Sequence, residues 1–370
     1  MDLEKRIVFL CGLGDFHAFD WYRSCLKLLN KNQVLILTDS REGEGLKNLS
    51  NENDEIHYLM LIDRILFKNQ SVLANKWRNF LKLLISPIQI LKLRKFAKNN
   101  QDCIYFANGM YFMFLANMAR VPCIGAPQGG EILLRPNSFF YRKFAQFAIK
   151  GCLFSVVDSV AMQEKSNNLF GVKPVLVQNG IDLISINKII QNNKIENRFR
   201  ITSVRGLTPL YRIDEILASR DLKNDDNSVP ITFIYPFFEK EYKDKLKIYE
   251  LKGDIDLGRL EKANMYKVLL ESNIVISIPE SDSSPRSVYE AIFCGCIVII
   301  TENSYFNILP NCMKERIVIA DISNKNWFSI AIENANKLKN MAFLPDKESQ
   351  EMFNQELSMK KVLEILESKI

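Results

Sequence analysis

Two rhythms alternate along the chain. Short runs of unbroken apolar residues, of strand length, sit between longer segments in which apolar positions recur at helical spacing. Residues 7–11, 33–37, 56–61, 103–107, 122–126, 154–157 and 175–177 form the apolar runs of the first half. Residues 19–29 and 111–120 carry the helical period. A long basic helical region follows residue 61 and is broken at Pro87, which has no backbone donor. Strands that are apolar throughout belong in a parallel sheet covered on both faces, so the rhythm predicts repeated βαβ units. It restarts after a polar stretch at 191–198. Strands are predicted at 201–204, 231–235, 274–278, 297–300 and 317–320, and helices at 213–220, 239–247, 264–272 and 326–339. A last helix begins near Asp346. The pattern thus predicts an α/β protein of two Rossmann-like domains, residues 1–195 and 196–345, with a C-terminal helix at 346–370 packing back on the first.

Composition alters this little. A chain of 370 residues, 47% hydrophobic and 25% charged, suits two cores of ordinary soluble type. No apolar run reaches the length of a spanning helix. Lys5-Arg6 before residues 7–11 resembles a signal peptide, but the apolar stretch is too short and runs into Gly12-Leu13-Gly14-Asp15, as a first strand and its loop would. The eight cysteines are scattered through apolar segments and read as reduced core residues. Cys294-Gly295-Cys296 has no second Cys/His cluster to complete a metal site.

The net charge of +6 is unevenly placed. Residues 64–100 contain nine basic side chains, Arg64, Lys68, Lys76, Arg78, Lys82, Lys92, Arg94, Lys95 and Lys98, and no acidic one. Apolar residues interleave with them, among them Trp77, Phe80, Leu81, Leu84 and Leu91. A second acid-free stretch, 133–157, sets Arg135, Arg142, Lys143 and Lys150 among Phe139, Phe140, Tyr141, Phe144 and Phe147. Such segments suit an anionic membrane surface; the alternative is a solvated face over a core. No nucleic-acid recognition motif is present, and the acidic remainder of the chain argues against a general polyanion binder.

The segment richest in chemistry is 273–301, NIVISIPESDSSPRSVYEAIFCGCIVIIT. A buried strand ends at Pro279, a loop Ser281-Asp282-Ser283-Ser284 follows, and Pro285 opens a helix that stops at Gly295 before the next strand. The free amides of such a helix start suit a diphosphate, at the carboxyl end of a strand where open α/β sheets bind ligands. Asp282 in the loop and Glu290 on the helix flank that position. Either carboxylate can accept hydrogen bonds from vicinal hydroxyls. The alternative for Glu290 is an exposed helix residue, and for Asp282 a helix cap or turn former.

This segment resembles the signature of family 4 retaining glycosyltransferases of GT-B fold: Glu, seven residues, Glu, Ala, then Gly before the next strand. Asp282, Glu290, Ala291 and Gly295 fall in register, with Asp replacing the first Glu. Three further segments resemble that family in order. Asn179-Gly180-Ile181-Asp182 is similar to its turn at the end of the N-terminal domain. Residues 203–212, SVRGLTPLYR, are similar to the loop after the first C-terminal strand, where an Arg and a Lys hold the donor diphosphate. Arg205 matches the Arg, while Tyr211 or Arg212 stands where the Lys would be. Leu257-Gly258 is similar to the turn before the donor-proximal helix.

The resemblance implies a GT-B fold, two Rossmann-like domains facing across a cleft. It implies transfer of a sugar from a UDP- or GDP-type donor to a glycan or lipid-linked acceptor, with retention and with no essential metal or other cofactor. Asp254-Ile255-Asp256 has the letters of a metal motif but is read as a turn before Gly258. The implied catalytic group is Arg205, Asp282, Glu290 and His17. Donor contacts fall to Arg205, Arg212, Asp282, Ser283, Ser284, Arg286, Ser287 and Glu290. The first N-terminal loop offers Gly14, His17 and Trp21 to the acceptor, with Phe16 a second ring for stacking. The loop Ala126-Pro127-Gln128-Gly129-Gly130-Glu131 offers Gln128 and Glu131. The setting expected is bacterial polysaccharide, lipopolysaccharide or capsule synthesis, in the cytoplasm at the inner face of the cell membrane. Two other readings fit the same fold: a non-hydrolysing nucleotide-sugar epimerase, and a non-catalytic GT-B subunit that binds a partner.

Overall fold

A computed structural model describes residues 5–12, 15–38, 54–59, 72–135, 138–193, 200–220, 229–249, 253–338 and 340–370, with the side chains of Phe16 and of residues 72–79 not described. The chain divides into two compact units: residues Met1–Asn179 with Gln355–Ile370, and residues Gly180–Asn354.

Unit 1 is built on a parallel sheet in the order β3-β2-β1-β4-β5-β6-β7. Its strands are β1 Arg6–Cys11, β2 Val34–Thr38, β3 Ile56–Tyr58, β4 Cys103–Asn108, β5 Cys123–Ala126, β6 Phe154–Val157 and β7 Val175–Leu176. Strands β1, β2, β4, β5 and β6 are buried over almost their whole length, as their unbroken apolar runs require. Helices α1 Phe16–Leu28, α2 Val72–Asn99, α3 Met110–Ala119, α4 Gly129–Leu133, α5 Phe139–Lys150 and α6 Val160–Phe170 connect them. One core lies around Leu10, Tyr105, Met113, Leu115 and Phe170, the other around Phe9, Tyr22, Ile36 and Phe106.

Pro87 does not break α2, which runs through it. Proline leaves the carbonyl four residues back without its usual donor. Here that carbonyl belongs to Leu83, and the Ser86 hydroxyl donates to it at 2.8 Å.

Unit 2 opens on α7 Leu183–Asn192, capped by Asp182, whose carboxylate accepts from the Ser185 amide at 3.1 Å and hydroxyl at 2.7 Å. Its parallel sheet runs β10-β9-β8-β11-β12-β13. The strands are β8 Arg200–Ser203, β9 Ile231–Ile234, β10 Ile255–Gly258, β11 Ser272–Ser277, β12 Ile297–Ile300 and β13 Ile317–Ile319. Helices α8 Ile213–Ala218, α9 Lys240–Leu246, α10 Lys262–Leu270, α11 Arg286–Phe293, α12 Asn311–Lys314, α13 Trp327–Leu338 and α14 Lys347–Phe353 cover it. A final helix, α15 Gln355–Glu367, returns the chain to unit 1, where Met359, Val362, Leu363 and Leu366 are fully buried in the same core as Trp21 and Phe106.

The units divide at Asn179/Gly180 rather than after the polar stretch. The reason is α7, whose Leu183 and Ile186 are buried in the core of unit 2 beside Tyr266 and Tyr289. Strand β10 also differs from expectation, since its first residues read as a turn. It is an edge strand, exposed along its first half, and its sequence alternates where buried strands do not.

Candidate functional site

At the carboxyl ends of neighbouring strands β8 and β11, the structure brings Arg205 and Asp282 together, with Arg205 Nη2 2.8 Å from Asp282 Oδ2. The Arg205 side chain is 9% exposed and that of Asp282 16%. Arg205 Nε donates to the hydroxyl of Ser277, the last residue of β11, at 2.7 Å. The N–H direction at Nη2 makes no hydrogen bond to Oδ2, so the two atoms form an ion pair only. The guanidinium also sits over the Tyr211 ring, 5.5 Å from its centroid. Burial pushes the Tyr211 hydroxyl up, partly offset by the Arg205 charge. Tyr305 is pushed up by burial and lies in the field of the same pair.

Local backbone fixes this arrangement. Leu207 N donates to Phe237 O at 3.1 Å and Glu239 N to Leu207 O at 3.0 Å, so the loop after β8 is laced to the loop after β9. A Cβ at Gly206 would lie 2.5 Å from the Phe237 ring, so glycine lets that ring close over the loop. Glu280 N donates to Leu210 O at 2.8 Å, tying the loop after β11 to the same segment.

Pro285 precedes α11 as expected, and Gly295 ends its turn at φ 83°. Glu290 is 5% exposed. The Tyr266 hydroxyl of α10 donates to its Oε1 at 3.0 Å. Burial and the Glu290 charge together hold that hydroxyl well above its ordinary range, with Arg286 opposing. Glu290 is thus a buried, anchored carboxylate rather than an exposed helix residue. Ser284 is buried, its hydroxyl donating to Tyr289 Oη at 3.3 Å; Ser283, Arg286 and Ser287 are half-buried at the loop and first turn.

Arg212, the other basic residue of this loop, is half-buried. It is in the left-handed region at φ 49°, between a 3-10 turn and α8, and its Nε faces Glu215 at 4.0 Å. Both carboxylates of the Asp254-Ile255-Asp256 segment are engaged elsewhere. Asp254 holds Arg220 through contacts of 2.7 and 3.0 Å and accepts from the Ile231 amide at 2.9 Å. Asp256, on β10, meets Lys243 at 2.7 Å and Tyr235 at 2.8 Å.

In unit 1 the last residue of β4 and the loop after β5 converge on Asp15, in the loop after β1. Its Oδ1 caps α1, accepting from His17 N at 3.1 Å and Ala18 N at 3.3 Å. Its Oδ2 accepts from Gln128 Nε2 at 2.7 Å and from Asn108 Nδ2. His17 is exposed, and its Nδ1 lies 3.3 Å from Asn179 Nδ2. Asp15, Asn108 and Asn179 were not singled out from sequence as site residues. The signals were a polar end to each of two apolar strands' loops and the Asn of the Asn-Gly-Ile-Asp turn.

Two acceptor candidates are engaged within the fold of unit 1. Trp21 is 4% exposed, its ring 5.8 Å from Phe106, so it is a core residue; it falls on the inward stripe of α1. Glu131 Oε2 accepts from the amides of Gln128 at 3.0 Å and Met110 at 2.9 Å. Its carboxylate thereby clamps the loop after β5 to the start of α3, and burial pushes its carboxyl up. Gly14 and the Phe16 side chain lie outside the described residues.

Two parallel sheets of this order, each with its polar loops at the carboxyl strand ends, define a GT-B fold. Among solved structures, the chain is similar to Anabaena HepE in complex with UDP-glucose, at 15% identity and a TM-score of 0.72, covering 98% of this chain and 100% of that one. It is similar to sucrose-phosphate synthase of Thermosynechococcus elongatus, at 11% identity and a TM-score of 0.73, covering 98% of each chain. A putative UDP-N-acetylglucosamine 2-epimerase from Listeria monocytogenes also aligns, at 12% identity and a TM-score of 0.60 over 98% of this chain and 96% of that one. No family model matches the sequence, and no curated protein matches it at the significance required.

Proposed function

We propose that the protein is a nucleotide-sugar-dependent glycosyltransferase, of the retaining type found in family 4. The observation that carries this is the buried Arg205–Asp282 pair at the carboxyl ends of β8 and β11, beside the helix start at Pro285 and with Glu290 anchored behind it. A buried cation matched by one carboxylate, with donors to spare, is suited to exchange that carboxylate for a diphosphate. Asp282, once released, is free to accept hydroxyls of the transferred sugar. Glu290 holds ribose hydroxyls from the helix. Ser283, Ser284, Arg286 and Ser287 line the same helix start, and its amides face the phosphates.

The bond from the sugar's anomeric carbon to the diphosphate breaks, and the diphosphate leaves with the electron pair. The acceptor hydroxyl oxygen bonds that carbon from the same face, and its proton passes to a phosphate oxygen of the leaving group. Arg205 and the helix start stabilise the charge that develops. His17 and the Asp15–Gln128 pair orient the acceptor in unit 1. We propose a UDP- or GDP-type donor and no essential metal, since Asp254 and Asp256 are engaged structurally. A glycan or lipid-linked acceptor in bacterial surface-polysaccharide synthesis, at the inner face of the cell membrane, completes the reading.

Thermal-shift screening of UDP- and GDP-sugars identifies the donor by mass action. Donor turnover is then compared with and without lipid-linked acceptors. Acceptor-dependent release of nucleoside diphosphate with a retained anomeric configuration is expected. Conversion of the sugar without acceptor makes the protein an epimerase, and absence of any donor binding makes it a non-catalytic subunit.

A further inference from the structure

Helix α2 carries apolar residues on its solvent face as well as on its core face. Its inward face carries Ser86, Gln89, Ile90 and Leu93, all buried. Its outward face carries Phe80, Leu83, Leu84, Ile88 and Leu91, which are 47 to 62% exposed. These recur at helical spacing, so they form one stripe over more than three turns. The stripe then turns basic, at the exposed residues Lys92, Arg94, Lys95 and Lys98. An ordinary surface helix has its polar residues where this one has leucines.

A second helix repeats the pattern. On α5, Phe139 is 65% and Phe140 83% exposed, and Phe147 is 44% exposed. Arg142, Lys143 and Lys150 stand exposed among them, with Lys143 Nζ 5.7 Å from the Phe139 ring centroid. Both helices pack on α3: Arg94 Nη2 donates to Met118 O on one side, and Phe144 and Phe147 meet Phe114 on the other. The two apolar faces therefore flank one helix of one unit. Charge complementarity selects the occupant. From residue 64 to 157 the sequence has fourteen Lys and Arg and two acids, Asp102 and Glu131, and Glu131 is engaged by backbone amides.

We propose that this face of unit 1 docks on an anionic lipid bilayer, with the α2 stripe and the Phe139-Phe140 corner entering the headgroup region and the lysines meeting lipid phosphates. No described helix is long and apolar enough to cross a membrane, so docking on the surface is the mode that fits. The inference stands apart from the proposed reaction, because nucleotide-sugar binding in solution tests one and vesicle binding the other.

The test is co-sedimentation of the full chain with phosphatidylcholine vesicles, with or without phosphatidylglycerol. Binding is expected to the anionic vesicles only and to fall as salt is raised. Lys92→Glu/Lys95→Glu/Lys98→Glu should weaken it about 100-fold, and Phe139→Ala/Phe140→Ala roughly 10- to 100-fold. All these positions are solvent-facing, and circular dichroism with thermal melting confirms folding. Equal binding to both vesicle types, or none to either, overturns the proposal. So does a stable dimer in sedimentation velocity that Phe139→Ala/Phe140→Ala dissolves, since the face would then be covered by a second copy.

Discussion

Replacement of Arg205 tests the donor site most sharply. The guanidinium has five N–H donors; Nε is committed to Ser277 at 2.7 Å, and Nη2 approaches Asp282 at 2.8 Å without a hydrogen bond. Two donors turned to a diphosphate, each charged bond worth about 1.5–3 kcal/mol, contribute roughly 3–6 kcal/mol. Arg205→Ala should therefore raise the dissociation constant for nucleoside diphosphate by about 10²- to 10⁴-fold. Arg205→Lys keeps the charge but loses both the fork and the Ser277 anchor, so an intermediate loss is expected. Removing Arg205 also strands Asp282, which confuses binding with folding. The double variant Arg205→Ala/Asp282→Asn removes that unpaired charge and should bind nucleotide as weakly as the single one. The assay is isothermal titration with UDP and GDP, paired with melting curves. For the wild type, ligand at about 100 times its dissociation constant adds roughly 2.7 kcal/mol, which shifts a domain of this size by about 5–11 °C. If folded Arg205→Ala binds the preferred nucleotide within threefold of wild type, Arg205 is a structural residue and the diphosphate assignment fails.

Other outcomes follow from the same geometry. Glu290→Gln should weaken donor binding and turnover by roughly 10- to 1000-fold, read from initial rates against donor concentration; unchanged kinetics would remove Glu290 from the site. Asp254→Ala should destabilise unit 2 by about 3–5 kcal/mol in urea unfolding, because it strands Arg220, whose side chain is 1% exposed. A cost under about 1 kcal/mol would show that water reaches Arg220. Glu131 gives a pH signature. Its carboxyl is pushed up by burial, so its contribution to stability is fully present below the ordinary Glu range and is lost as pH rises through the raised value. Glu131→Gln keeps an oxygen for the Gln128 and Met110 amides, so its melting temperature relative to wild type should climb with pH above that range; a constant difference would contradict it.

Legibility tracked burial. Strands β1, β4, β11 and β12 lie fully between helices, and unbroken apolar runs announced them. Strand β10 escaped because an edge position asks for less, and Asp254 and Asp256 looked like turn formers while serving Arg220 and Lys243. Pro87 misled because the repair lies in a side chain, Ser86, which no periodicity rule reads. At the site, Arg205 and Asp282 stand far apart in sequence and meet only because β8 and β11 are neighbours. A motif supplied their types, while the contact between them needed the sheet order. Trp21 shows the opposite error: an aromatic beside a glycine-rich loop invites a sugar, but its helical phase sends it into the core.

The return of α15 to unit 1 has a consequence for biogenesis. Trp21 and Phe106 lie in a core that Met359, Val362, Leu363 and Leu366 complete, so unit 1 is begun before unit 2 during translation and finished after it. Unit 2, continuous from Gly180 to Asn354, can close on the ribosome. Until α15 emerges, α1 presents an uncovered apolar groove. A nascent chain arrested before residue 355 should therefore engage chaperones through that groove, and a fragment ending at Asn179 should aggregate unless a peptide spanning 355–370 is supplied in trans.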